Sequence, residues 1–71
     1  MSDVRIAVRG MTCEHCKARV EKALMDVPGV FGAFVDLSEG IAEIDFDESV
    51  AATDVLVDAV SAVGYDAALS S

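Results

Sequence analysis

Residues 3–27, from Asp3 to Val27, read DVRIAVRGMTCEHCKARVEKALMDV, and the period of the apolar positions changes once along the way. Between Asp3 and Arg9 the pattern alternates, with Val4, Ile6 and Val8 apolar, Asp3, Arg5 and Arg9 polar, and Ala7 neutral. A period of two predicts a half-buried strand over 3–9. Gly10 and Thr12 break it. Over 16–27 the period becomes helical: Val20, Ala23, Leu24 and Val27 fall on one face, and Lys17, Glu21 and Lys22 on the other. Pro28-Gly29 is expected to stop this helix.

The same reading extends along the rest of the chain. Residues 30–37 predict a strand with Ala33, Val35 and Leu37 on one face. Ser38-Glu39-Gly40 has hairpin length. Residues 41–46 predict the returning strand, with Ala42, Ile44 and Phe46 inward and Glu43 and Asp45 outward. After a loop over 47–52, Thr53 is expected to cap a second helix, with Leu56, Ala59, Val60 and Val63 as its buried stripe and Gly64 as its end. Tyr65, Ala67 and Leu69 alternate in a short last strand. The order β-α-β-β-α-β predicts an α+β, ferredoxin-like sandwich. With right-handed crossovers, its four-stranded antiparallel sheet is covered on one face by two helices. Arg5, Glu43, Asp45 and Asp66 suit the open face; Phe34 and Ile41 do not fit the pattern.

The chain's 71 residues allow one domain, assigned to residues 1–71. That length counts against an enzyme with its own substrate pocket, so a non-catalytic role is expected. No apolar run approaches the ~18–20 residues of a membrane helix, and membrane insertion is not expected. Thirteen acids against five bases give a net charge of −8, a poor match to nucleic acid, which needs clustered Lys and Arg. All five bases, Arg5, Arg9, Lys17, Arg19 and Lys22, lie in residues 1–22, a segment of charge +2, while residues 23–71 carry −10.

The two cysteines, Cys13 and Cys16, are the whole thiol content. No hydrophobic leader follows Met1-Ser2-Asp3-Val4-Arg5, so a cytoplasmic, reducing location is expected. There a C-x-x-C pair reads as a metal site or a redox motif. Its place between a strand and a helix start matters, because unpaired N–H groups and the helix dipole favour anions there and lower a thiol's pKa. Two thiolates three residues apart form a soft clamp, suited above all to Cu(I). Zn²⁺ prefers four ligands. Cys16 continues the buried stripe and is expected to be partly shielded, with Cys13 exposed. Met11 reads as an anchor under the loop, His15 as a side chain turned away from the pair, Glu14 as a helix-start acid, and Lys17 as a cation beside the site.

Gly10-Met11-Thr12-Cys13-x-x-Cys16 resembles the G-M-T-C-x-x-C signature of heavy-metal-associated domains, the family of small copper chaperones and of the N-terminal modules of copper-transporting P-type ATPases. Pro28-Gly29-Val30 and Gly64-Tyr65 also resemble the family pattern. The resemblance implies Cu(I) held by Cys13 and Cys16, delivery by thiol exchange to the metal-binding domain of such an ATPase, and a tyrosine, Tyr65, near the metal loop. A monomer is expected, and the exposure of Cys13 leaves metal-bridged dimers through it as the alternative. The remaining alternatives are a module for mercury, zinc or cadmium, or a copper-sequestering protein. A thioredoxin-like oxidoreductase fits poorly, because that fold needs a longer chain and a cis-proline facing the cysteines, and Pro28 follows the helix.

Overall fold

The computed structural model describes residues 2–70; the outer ends of the assigned domain, Met1 and Ser71, lie outside the described residues. The elements are β1 (Ser2–Arg9), α1 (Glu14–Met25), β2 (Val30–Asp36), β3 (Ile41–Phe46), α2 (Thr53–Ala62) and β4 (Asp66–Leu69). The sheet order is β2-β3-β1-β4, with every neighbouring pair antiparallel. This is the ferredoxin-like arrangement expected from the alternation of periods. Val4, Ile6 and Val8 of β1 and Ala42, Ile44 and Phe46 of β3 face Val20 and Leu24 of α1 and Leu56 and Val60 of α2 in one buried cluster. Ile6, Leu24, Ile44 and Leu56 are fully buried, each stabilising the fold by roughly 1.5–3 kcal/mol.

The boundaries differ from the expectation in ways the backbone explains. The first helix starts at Glu14, so Cys13 is its N-cap and Cys16 lies in its first turn. It ends at Met25 because Pro28 disfavours helical geometry at the residue before it. Val27 still enters the core, its N–H donating to the Leu24 carbonyl at 3.1 Å. Thr53 is the first helical residue of α2 and not its cap; Ala52 holds that position with no side-chain hydrogen bond.

A register shift between Val30 and Gly32 leaves Phe31 as the extra residue of a bulge, and Phe31 is exposed. Beyond the bulge, Ala33 and Val35 point inward. Phe34 falls on the open sheet face, 74% exposed, in one cross-strand row with Glu43 and Arg5. Arg5 and Glu43 form an ion pair at 3.0 Å in that row. Leu69 was expected to continue the inward set of β4, yet it is exposed at the sheet edge. The outer edge of β2 is partly closed by α1: the Val35 N–H donates to Glu21 Oε2 at 3.2 Å.

Gly29 has a φ of +94°, and a Cβ there would stand 2.9 Å from Val50 Cβ. Glycine therefore lets the chain turn from α1 into β2 while the loop over 47–51 closes against it. That contact sets the end of α1 level with the start of α2.

Candidate metal centre

Strand β1 delivers Gly10, Met11 and Thr12 to one end of the sandwich, and α1 begins there. Met11 is half-buried and packs on the core, so it anchors the loop. Gly10 has a φ of +97°, and a Cβ at that position would sit 3.3 Å from the Tyr65 ring. A side chain there would both strain the backbone and push Tyr65 away. The β2–β3 turn braces the same end, with the Val8 N–H donating to the Gly40 carbonyl at 2.7 Å.

The Cys13 backbone is extended, and its carbonyl accepts the first helical hydrogen bonds from Cys16 N (3.1 Å) and Lys17 N (3.2 Å). Cys13 is exposed and Cys16 half-buried, as the spacing predicts, and both are free thiols. Their sulfurs lie 3.5 Å apart. The Cys16 thiol is lowered from its ordinary value to about 6. The largest cause is a hydrogen bond from the Tyr65 hydroxyl, followed by the Thr12 N–H, the Cys13 thiol and the Cys13 N–H, against a desolvation cost. At neutral pH the Cys16 sulfur is therefore largely a thiolate. Its partner responds in the opposite sense: the bond to Cys16 holds the Tyr65 hydroxyl above its usual range, so the phenol stays protonated and keeps donating.

Glu14 and His15 project from the first turn into solvent. Among the described residues, no third His, Cys, Asp or Glu joins the two thiols in a cluster. The Lys17 ammonium stands 3.9 Å from the Glu14 carboxylate. The link between Tyr65 and Cys16 is the feature that spacing alone does not reveal. It joins residues far apart in the chain, and only the resemblance placed a tyrosine there.

A ferredoxin-like sandwich with one exposed and one half-buried thiol at a helix start has the donor chemistry of a small soft-metal-binding domain. The match to the heavy-metal-associated domain family spans residues 5–66, and the chain belongs to that family. Copper chaperone CopZ from Staphylococcus aureus (strain Newman) is 41% identical over 66 residues, covering 93% of this chain and 97% of CopZ. Among solved structures, the copper binding domain from HMA7, a P-type ATPase, superposes with a TM-score of 0.98 at 34% identity, covering 100% of this chain and 96% of that one. Oxidized MerP from Ralstonia metallidurans CH34 gives 0.94 at 30% identity, covering 99% and 97%.

Proposed function

We propose that this chain is a copper chaperone: residues 1–71 act as one domain that binds Cu(I) between Cys13 and Cys16 and delivers it to the metal-binding domain of a copper-transporting P-type ATPase. The observation that carries this is the thiol pair itself, 3.5 Å between sulfurs, with Cys16 ionised at neutral pH and, among the described residues, no third His, Cys, Asp or Glu clustered with it. Two sulfurs satisfy a soft monovalent ion and leave Zn²⁺ undersaturated. Likeness to CopZ and to an ATPase copper-binding domain supports both the cargo and the recipient.

Metal–thiolate bonds of about 2.3 Å in a line would put the sulfurs about 4.6 Å apart, roughly 1 Å more than the free pair. Cys13, exposed and at the helix cap, is the side chain free to swing by that amount. Cys16, tied to Tyr65 and the loop amides, stays in place. Delivery follows the same asymmetry. A partner cysteine loses its proton and its thiolate bonds to Cu(I) beside Cys13, giving a three-coordinate ion. The bond from Cys13 then breaks, its sulfur takes up a proton, and a second partner thiolate displaces Cys16. Copper stays Cu(I) throughout and never enters water. The role is that of a carrier and not of an enzyme, in the cytoplasm.

The test is anaerobic Cu(I) titration under reducing conditions, with X-ray absorption to count sulfurs. One Cu(I) per chain with two sulfur neighbours is expected, and Cys13→Ser with Cys16→Ser should abolish tight binding while the fold persists. Retention of Cu(I) by that double variant against a competing chelator would falsify the site. Likeness to MerP supports mercury as a second cargo for the same clamp; Hg²⁺ displacing Cu(I) at equal concentration in a glutathione-buffered competition would favour that reading.

A further inference from the structure

The two helices present faces of opposite charge. On α1, Arg19 and Lys22 are exposed, and the helix's own acids are engaged elsewhere: Glu14 with Lys17 and Glu21 with the Val35 N–H. On α2, Asp54 and Asp58 are exposed, and no base lies anywhere in residues 23–71. Among the described residues, none of Arg19, Lys22, Asp54 and Asp58 belongs to an ion pair. Helical period sets Lys22 opposite buried Val20 on α1, and Asp58 opposite buried Leu56 on α2, so both point away from the sheet. The same layer also exposes small and apolar side chains: Ala18, Ala62, Met25 (48%) and Val55 (46%).

We infer that the helical layer is self-complementary, and that two copies of this chain associate weakly and face to face, α1 of each on α2 of the other. A two-fold axis running along the helices between α1 and α2 produces this pairing and leaves the levels of the residues unchanged. The helices are level at both ends, through Gly29 against Val50 and Ala51 at one end and Cys16 with Tyr65 at the other. At 1.5 Å per residue, Lys22 then stands about 4.5 Å from the level where α1 ends, between Asp54 at about 1.5 Å and Asp58 at about 7.5 Å. Each Lys22 thus meets both aspartates of the partner copy. The area limits the affinity. Two helices of 12 and 10 residues offer a face of about 18 by 20 Å, less than the ~800 Å² per side of a stable complex. A face of that size belongs with weak, transient contacts, and its charge pairs make the association strongly salt-dependent.

The test uses the full chain carrying Cys13→Ser and Cys16→Ser, so that no metal can bridge two copies and the outcome is independent of the copper reading. Sedimentation and ¹⁵N chemical-shift titration up to ~1 mM at low salt should show association mapped to α1 and α2 and lost in 0.5 M salt. Lys22→Glu and the double variant Asp54→Lys with Asp58→Lys should each weaken self-association by about tenfold or more, whereas an equimolar mixture of the two, in which every contact at position 22 becomes an opposite-charge pair, should recover it to within about threefold. Circular dichroism checks that both variants stay folded. A wild-type helical face that remains monomeric at ~1 mM, or a mixture that fails to recover association, would overturn the inference.

Discussion

At the scale of single residues, the chemistry concentrates on Tyr65 and Cys16. A thiol lowered to about 6 by a phenol and two loop amides is ready for a soft metal without first releasing its own proton at neutral pH. Removing the hydroxyl with Tyr65→Phe removes the largest of those causes. The Cys16 thiol should rise, and Cu(I) affinity at pH 6.5–7 should fall by about tenfold, converging with wild type above about pH 9, where Cys16 ionises even without the phenol. Chelator competition across pH reads this directly. The linkage also appears in stability. Cys16 ionises more readily folded than unfolded, so between pH 6 and 9 the unfolded chain binds more protons and stability rises with pH. This contribution is complete above the unfolded thiol value and is lost as pH falls through about 6. Thermal melts of the reduced apo protein should show the rise, and Tyr65→Phe should flatten it. The two cysteines and their unequal exposure were legible in the sequence, because a helix cap and a helix stripe are local features. The donor that ionises Cys16 was placed near the loop by the family resemblance alone, because Tyr65 arrives from the far end of the chain by way of the fold.

At the scale of elements, the strands were the most legible part. In β1 and β3 the alternation Val4-Ile6-Val8 and Ala42-Ile44-Phe46 coincides with burial. The sheet edges were harder. Phe31 is apolar, yet it sits outside because a bulge inserts it, and bulges leave no mark in an apolar pattern. Thr53 carries a capping side chain, yet the chain enters α2 one residue earlier, at Ala52. Two predictions belong here. Leu24 is fully buried between α1 and the sheet, so Leu24→Ala should destabilise by about 2–5 kcal/mol, measured by denaturant unfolding, with little change in metal stoichiometry. In the β2–β3 turn, Asp36 Oδ1 accepts from the Ser38 N–H (2.9 Å), the Ser38 hydroxyl (2.7 Å) and the Glu39 N–H (3.2 Å). These bonds, the Ser38 hydroxyl foremost, hold the Asp36 carboxyl below its ordinary value, and Ser49 does the same for Asp47. Both contributions are complete above the ordinary carboxylate range and disappear as pH falls below it, through the lowered values. Acid should therefore soften the two turns, and Asp36→Ala should lower the melting temperature at pH 7 and shrink its fall between pH 5 and pH 2.

At the scale of the whole molecule, the charge is divided by element. Four of the five bases, Arg9, Lys17, Arg19 and Lys22, flank the metal loop or follow it on α1, and the rest of the chain is acidic. Lys22 lies in the last turn of α1, toward the other end of the sandwich, whereas Arg9 and Lys17 stand nearest the end that carries Cys13 and Cys16. A recipient domain whose own cysteines are ringed by acids would meet this end first, and the encounter would already be oriented for thiol exchange. Such steering acts on the rate of association more than on the strength of the complex, which suits a carrier that must release its cargo. Lys17→Glu with Lys22→Glu reverses the charge along α1 without touching a sulfur. Cu(I) affinity by chelator competition should stay within about threefold of wild type. Transfer to an acidic recipient domain, followed by stopped flow at micromolar concentration, should slow by about tenfold at low salt and lose most of its salt dependence. The concentration is chosen well below that at which the helical faces of two copies would meet, so a slower rate reports the recipient and not self-association. Equal transfer rates for variant and wild type at low salt would mean that the cations only solvate the helix, leaving the thiol pair alone to find its partner.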